Sequence, residues 1–211
     1  MRAIILAGGK SERWANHLGI RKHLLLVDGE TLLDRMVRLL RERDVTDIHL
    51  VGPYEIEGAQ SHRDDSDDGI DGRLASRRWW CHHRRTVILM GDVWYSDAAM
   101  DAIVGHRQNP CLFARFGRSD LTGKGYGEIW ANSFMPQHQE AHAGSLSRVL
   151  LLHRRHRIKR AGLWESYMLD HGKLLPRPRL ANHGQAVEID DWTEDFDYPE
   201  DWDRWVERRL T

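Results

Sequence analysis

The sequence has few of the features that mark membrane, disulfide-rich or nucleic-acid-binding proteins. Its 211 residues include two cysteines, Cys81 and Cys111, which make neither a disulfide framework nor a zinc-ligand spacing. No apolar run approaches the roughly 20 residues that span a bilayer. The formal net charge of -1 gives no general attraction to nucleic acid or anionic lipid. We therefore expect a cytoplasmic protein without a membrane or nucleic-acid partner, and leave a homodimer open.

What the sequence does contain is an alternation of apolar runs and amphipathic segments. The run 3–7, which ends in Gly8-Gly9, predicts a buried parallel strand that enters a tight loop. This run is shorter than the roughly 7–15-residue apolar core of a signal peptide. Further strands are predicted at 47–51, 86–90, 111–116 and 127–134. Helices are predicted after Thr31, at 74–80, from Ser96 or Asp97 to 107, at 145–157 and from Pro199, with a polar loop at 55–72.

This order predicts one α/β domain over 1–211, a three-layer sandwich with a mostly parallel, Rossmann-like mixed sheet. In such sheets ligands bind beyond the carboxyl ends of the strands. Asp92 follows Gly91 at the end of the strand predicted at 86–90, so its carboxylate is expected at that edge. The alternative is an aspartate that only caps a helix or closes a turn.

The loop after the first strand carries groups suited to a triphosphate. Gly8 and Gly9 let the backbone approach a ligand, and loop N–H groups before a helix can hold phosphate oxygens. Arg13 adds a planar fork and Lys22 a point charge. The spacing matches neither a Walker A loop nor G-x-G-x-x-G. A strand–turn–helix with surface cations explains the glycines equally well, and we expect both cations to be largely exposed without ligand.

Together these segments resemble the sugar-nucleotide pyrophosphorylase and cytidylyltransferase superfamily. Its signature loop is similar to Leu6-Ala7-Gly8-Gly9-x-Ser11-x-Arg13 with the later Lys22. Its metal-binding aspartate is similar to Asp92, and its "D-x-P-E-D" element to Asp197-Tyr198-Pro199-Glu200-Asp201. The chain departs from the family in having Arg21 where proline is usual and Trp14 where glycine is frequent. These departures leave the base and the acceptor open.

The resemblance implies a glycosyltransferase-A-like nucleotidyltransferase fold and an enzyme of the EC 2.7.7 type. Such an enzyme transfers a nucleoside monophosphate from an NTP, with CTP or UTP favoured, to a small phosphorylated acceptor and releases pyrophosphate. The acceptor classes left open include sugar phosphates, phosphocholine and polyol phosphates. The implied catalytic residues are Arg13, Lys22, Asp92 and Asp197.

The implied cofactor is Mg²⁺ held by Asp92 and Asp197, with Asp195 as substitute if the register of the tail is off by two. Without metal the paired carboxylates repel each other, so at least one pKa should rise. The expected nucleotide-binding residues are Leu6, Ala7, Gly8, Gly9, Lys10, Ser11, Arg13, Lys22, Gly72 and Ser76. The expected acceptor-binding residues are Arg115, Lys124, Glu128 and Trp164, with Arg118 a further cation for the acceptor phosphate.

In this interpretation 1–110 binds the NTP, 111–190 binds the acceptor, and 191–211 supplies a metal ligand and a closing helix. One alternative is a glycosyltransferase of related fold that uses a sugar-nucleotide donor. That chemistry calls for an Asp-x-Asp metal site, and Asp92-Val93-Trp94 lacks the second aspartate. Another alternative is a non-catalytic binding module, against which the presence of Arg13, Lys22 and Asp92 argues.

Overall fold

A central sheet of seven strands organises the chain in the computed structural model, which describes residues 1–9, 12–63, 70–108, 110–158, 163, 165–166 and 186–211. The strands are β1 (Arg2–Leu6), β2 (Leu26–Val27), β3 (Glu30–Thr31), β4 (Ile48–Val51), β5 (Gln60–His62), β6 (Thr86–Met90), β7 (Val93–Trp94), β8 (Cys111–Arg115), β9 (Glu128–Phe134), β10 (Ala186–Glu188) and β11 (Glu194–Asp195). The helices are α1 (Leu32–Arg41), α2 (Ile70–Ala75), α3 (Asp97–Gly105), α4 (Gln139–Arg154) and α5 (Pro199–Leu210).

The central sheet runs in the order β10-β8-β9-β6-β1-β4-β5. Strand β9 is antiparallel to both of its neighbours, and the other pairings are parallel. Strands β2 and β3 form a separate hairpin, and β7 pairs with β11. The predicted mostly parallel, mixed sheet is therefore confirmed.

Helices cover the sheet on both faces, which explains the continuous apolar run of β1. Its residues Ala3 and Ile5 face a core cluster shared with α1 and α3, whereas Ile4 and Leu6 face a cluster shared with α4. A strand buried on both faces needs an apolar residue at every position. The expected three-layer arrangement is confirmed. In the described part of the chain, no helix combines the length and apolar character needed to cross a bilayer.

Local sequence signals start the helices as predicted. The Thr31 hydroxyl accepts a hydrogen bond from the Asp34 N–H at 3.0 Å, and the Ser96 hydroxyl accepts one from the Ala99 N–H at 2.9 Å. Such caps satisfy orphan N–H groups and each stabilise a helix by about 1 kcal/mol. Pro199 occupies the first turn of α5. Of the two candidate caps for α3, Ser96 is the one used.

The structure corrects the sequence prediction in four elements. Strand β5 lies inside the segment predicted as a loop, and β10 adds an edge strand that was not predicted. Helix α2 begins at Ile70 and ends at Ala75, where a 3₁₀ turn (Ser76–Trp79) follows. Helix α4 covers Gln139–Arg154 instead of 145–157. Both missed strands are held by parallel pairing with β4 or β8, which a local residue pattern does not reveal.

A third apolar cluster fastens the loop after β1 to the C-terminal segment. It consists of Trp14, Leu25, Val27, Leu32, Trp94, Phe196 and Trp205. The Trp94 and Trp205 rings meet edge-on with centroids 5.2 Å apart, and the Trp205 indole N–H donates to the Trp192 carbonyl at 3.1 Å. This packing returns the tail to the edge where β1 and β6 end.

Candidate active site

Glycines close the floor of the site at the carboxyl ends of β1, β4 and β6. The Gly91 N–H donates to the Leu6 carbonyl at 2.8 Å, and the Ala7 N–H donates to the Val51 carbonyl at 2.8 Å. A Cβ at Gly91 would lie 2.7 Å from the Leu6 oxygen, and one at Gly52 would lie 2.6 Å from the Ala7 oxygen. Only glycine permits this approach. Sequence analysis missed Gly52, whose signal is its place directly after β4.

Part of the backbone that was predicted to bind the nucleotide is already hydrogen-bonded to neighbouring strands. The side chains of Leu6 and Ala7 are buried, and the Leu6 carbonyl and Ala7 N–H already have main-chain partners. Gly8 is half-buried and Gly9 is buried. Lys10 and Ser11 lie outside the described residues. The contact of 6–9 with a nucleotide therefore stays a prediction, and Gly8 is its most accessible member.

Lys22 lies between two carboxylates in a 3₁₀ turn (Lys22–Leu24). Its Nζ is 2.5 Å from Asp92 Oδ2 and 3.5 Å from Asp197 Oδ1, and its side chain is only 8% exposed. The expectation of an exposed Lys22 is wrong, because packing of Trp14 and Leu25 in the third cluster draws this loop inward. Burial would lower the pKa of Lys22, but the charges of Asp92 and Asp197 raise it above its ordinary value.

Arg13 approaches the same carboxylate from the solvent side. Its Nη1 is 2.8 Å from Asp197 Oδ2, and its guanidinium carbon lies 5.4 Å from the centre of the Tyr198 ring. The side chain is 55% exposed, as expected. Arg13 can therefore turn toward a ligand without leaving a buried gap.

Asp92 and Asp197 meet at the Lys22 ammonium group although they belong to distant parts of the sequence. Burial would raise the pKa of Asp92, but the charge of Lys22 lowers it below its ordinary value. The pKa of Asp197 is raised by burial and by the charge of Asp195. One raised pKa agrees with expectation, although Asp195 is the main repelling neighbour.

A second buried lysine balances the tail carboxylates. Lys124 Nζ lies 2.7 Å from Asp195 Oδ1, 3.5 Å from Asp201 Oδ2 and 4.0 Å from Asp197 Oδ2. Asp201 Oδ2 also accepts hydrogen bonds from the N–H groups of Asp197 and Tyr198, which fixes the turn into α5. Lys124 was expected to bind an acceptor phosphate. In the ligand-free structure its partners are the tail carboxylates, and its contact with an acceptor stays a prediction.

Glu128 joins Asp195 and Asp197 in a group of carboxylates. One oxygen from each of the three lies within 4.8 Å of the others. Burial, followed by the charge of Asp195, raises the pKa of Glu128 to about 8. Oxygen ligands of this type suit Mg²⁺. Glu128 was expected among the acceptor-binding residues, and the structure places it beside the predicted metal ligands.

The family model of the MobA-like NTP transferase domain matches residues 3–158, which is most of the chain. The chain belongs to this family. It is therefore a nucleotidyltransferase, and the matched range contains Arg13, Lys22 and Asp92. The tail aspartates lie beyond that range, so their assignment rests on the geometry described above.

Solved structures similar to this MobA-like NTP transferase share its fold at low sequence identity. The CTP:phosphocholine cytidylyltransferase from Streptococcus pneumoniae has 12% identity and a TM-score of 0.64, with 100% of this chain and 99% of that chain covered. A protein from Bacillus anthracis named as a glucose-1-phosphate thymidylyltransferase has 15% identity and a TM-score of 0.63, with coverages of 100% and 96%. The inositol-1-phosphate CTP transferase from T. maritima has 14% identity and a TM-score of 0.56, with coverages of 98% and 95%. No curated protein sequence matches the chain.

Arg115, a predicted acceptor ligand, pairs with a buried carboxylate in the MobA-like NTP transferase. Its Nη1 lies 2.6 Å from Glu194 Oε2, and Glu194 is fully buried. The same carboxylate oxygen accepts hydrogen bonds from the hydroxyls of Ser119 and Thr122. This ion pair ties β8 to β11 in the ligand-free protein, and the contact of Arg115 with an acceptor phosphate stays a prediction. Arg118, three residues on, is exposed.

Ser76 was expected among the nucleotide-binding residues, and in the structure its side chain has partners within the protein. Its side chain is fully buried, its hydroxyl donates to the Arg73 carbonyl at 2.7 Å, and it accepts from the Trp80 indole N–H at 3.1 Å. Gly72 is buried in α2. Trp164 lies outside the described residues.

Proposed function

We propose that this enzyme transfers a nucleoside monophosphate from an NTP to a small phosphorylated acceptor and releases pyrophosphate, with Mg²⁺ as cofactor. The supporting observation is the set of ion pairs that joins Arg13, Lys22, Asp92 and Asp197 at one edge of the sheet. Cations and carboxylates neutralise one another there in the ligand-free enzyme. Together with a metal, an NTP would exchange these partners, since the triphosphate takes the cations and the metal takes the carboxylates.

In the proposed reaction an oxygen of the acceptor phosphate forms a bond to the α-phosphorus of the NTP. The bond from that phosphorus to the oxygen bridging to the β-phosphate breaks, and pyrophosphate leaves with the electron pair. Negative charge therefore grows on the leaving group. Arg13 and Lys22 supply a planar fork and a point charge that stabilise it. The protein needs no covalent nucleophile, because the acceptor provides it.

Asp92 and Asp197 would hold the Mg²⁺, with Asp195 and Glu128 adjacent. Asp197 fits this role because it lies in a group of carboxylate oxygens with Asp195 and Glu128, and Asp92 reaches the same place through its contact with Lys22. Burial and the charge of Asp195 raise the pKa values of Glu128 and Asp197, and a bound cation would lower them. When bound, Mg²⁺ neutralises phosphate charge and aligns the in-line attack.

For the substrates we propose CTP or UTP and an acceptor that binds beside the carboxylates of Glu128, Asp195 and Asp197. The similar enzymes carry names with a cytidylyl or thymidylyl donor and with phosphocholine, inositol-1-phosphate or glucose-1-phosphate. Arg118 is the first proposed cation for the acceptor phosphate, because it is exposed whereas Arg115 is buried. No observation favours a glycosyltransferase: Trp94, which stands where a second metal aspartate is required, is buried against Trp205.

The test is pyrophosphate release from each of the four NTPs, with Mg²⁺ or EDTA, against a panel of phosphorylated acceptors that includes phosphocholine, inositol-1-phosphate and glucose-1-phosphate. We expect release that requires both Mg²⁺ and one acceptor. Asp197→Asn should lower the rate by about a hundredfold or more, since it removes a charged ligand. Asp203→Asn, an exposed acid of α5, is the matched control and should behave as wild type. Consumption of a sugar nucleotide without pyrophosphate release would contradict the proposal.

A further inference from the structure

A cavity of about 450 Å³ lies at the end of the sheet opposite the active site. Arg85, directly before β6, lines it, whereas Asp92 follows the other end of that strand. Four arginines line the cavity: Arg43, Arg84, Arg85 and Arg107. Among the described residues that line it, Asp44 is the one acid. Arg43 is paired with Asp101 at 2.7 Å, so Arg84, Arg85 and Arg107 supply most of the positive charge of the cavity.

Arg85 is a buried cation without a carboxylate partner in the described part of the chain. Only 7% of the residue is exposed. Its guanidinium donates to the carbonyls of Val104 at 2.6 Å and Ile103 at 3.3 Å, and to that of His106. The end of α3 offers partial negative charge through these carbonyls. Burying a cation without an opposite charge is unfavourable, so an anion bound in the cavity would stabilise it.

The positive charge of Arg84 is also only partly neutralised by a neighbouring carboxylate. It shares the Asp47 carboxylate with Arg2, at distances of 2.8 Å and 3.0 Å, so one negative charge serves two guanidinium groups. The Arg84 side chain is 54% exposed and can turn toward a ligand. Arg107 is exposed beyond the end of α3. The cavity therefore combines a buried arginine with exposed ones at its rim.

The remaining wall of the cavity is partly apolar, with Val45, Val104 and Met135. Arginine forks match phosphate oxygens in pairs. The volume falls within the range of about 300–1,000 Å³ found for small-molecule sites. We propose that this cavity binds an organic phosphate, a small phosphorylated molecule with an apolar or aromatic group. This site is separate from the proposed active site at the other end of the sheet. The proposal does not depend on the transferase substrates.

The probe is phenyl phosphate, titrated into the full chain by calorimetry in EDTA, with phenol and inorganic phosphate as comparisons. We expect phenyl phosphate to bind more tightly than either. The double variant Arg84→Gln/Arg107→Gln should bind phenyl phosphate at least about tenfold more weakly, since it loses two charge-assisted hydrogen-bonding groups that would contact the phosphate. Both side chains are exposed, so the fold should persist. The matched control Arg148→Gln/Arg208→Gln removes the same charge elsewhere on the exposed surface and should change binding less than about twofold.

Three results would overturn the proposal. The first is the absence of phenyl phosphate binding to the wild-type chain. The second is an equal loss in both double variants, which would indicate attraction by net charge alone. The third is loss of binding in Arg13→Ala, which would place the ligand at the proposed active site instead.

Discussion

Replacement of Lys22 by methionine tests whether the ion pairs at the proposed active site also stabilise the fold. Methionine keeps much of the apolar stem and removes the ammonium group. In the ligand-free protein that group contacts Asp92 at 2.5 Å and Asp197 at 3.5 Å, and all three side chains are mostly buried. Arg13 still pairs with Asp197 in the variant, whereas Asp92 loses its ion-pair partner.

The expected loss of stability follows from the fact that Asp92 loses its ion-pair partner whereas Asp197 keeps one. Removing one partner of a buried ion pair costs about 3–5 kcal/mol, because the other charge stays buried without compensation. Asp92 is 17% exposed, so solvent relieves part of that penalty and the low end of the range applies. We expect the free energy of unfolding to fall by about 3 kcal/mol. For a chain of this size that corresponds to a Tm lower by roughly 6–12 °C.

The pH dependence provides an independent check of the cause. In the wild type the pKa of Asp92 lies below its unfolded value, so its stabilising contribution is present above the unfolded pKa and lost as pH falls through the folded pKa. In Lys22→Met, burial dominates and raises that pKa above the unfolded value of about 3.9. The variant then regains stability as pH falls toward 4. The difference in free energy of unfolding between the wild type and Lys22→Met should be largest near pH 7. It should become smaller as the pH falls from about 6 to 4.

Urea unfolding in EDTA, without nucleotide, measures this difference in free energy of unfolding at each pH. Arg21→Met is the matched control, since Arg21 is exposed next to Lys22 and its loss should change stability by no more than about 0.5 kcal/mol. The double variant Lys22→Met/Asp92→Asn removes both partners and should recover more than half of the loss. The reasoning is refuted if Lys22→Met is no less stable than Arg21→Met, or if the difference between wild type and Lys22→Met does not change with pH.

Three further predictions follow from the same edge of the sheet. Gly91→Ala should lower the free energy of unfolding by about 2 kcal/mol or more in urea, because its Cβ would lie 2.7 Å from the Leu6 oxygen; an unchanged midpoint would contradict the close approach. Arg13→Ala should lower kcat/KM about a hundredfold while leaving the Tm nearly unchanged, since its side chain is 55% exposed; wild-type kinetics would remove it from the site. Calorimetry should show that Mg²⁺ and the NTP each bind at least about tenfold more tightly when the other is present, because each releases the ion-pair partners of the other; independent binding would refute this exchange.

Much of the fold could be predicted from the sequence because its signals are local. The apolar residues of β1 and the hydroxyls of Thr31 and Ser96 act on their immediate neighbours. Strands β5 and β10 could not be predicted in this way. The residues Gln60-Ser61-His62 lack an apolar alternation, and pairing with β4 supplies their order.

The sequence by itself determined which charged groups the site contains. The glycine loop, Arg13, Lys22, Gly91-Asp92 and the acidic tail each stand out in the residue pattern. Only the tertiary structure decided how they pair. Charge acts through space, so packing of the tryptophan-rich cluster around Trp14 and Trp205 was needed to bring the tail back to the loop. That packing buried Lys22 between two carboxylates, and the pairing of β11 with β7 placed Glu194 against Arg115, a predicted acceptor ligand.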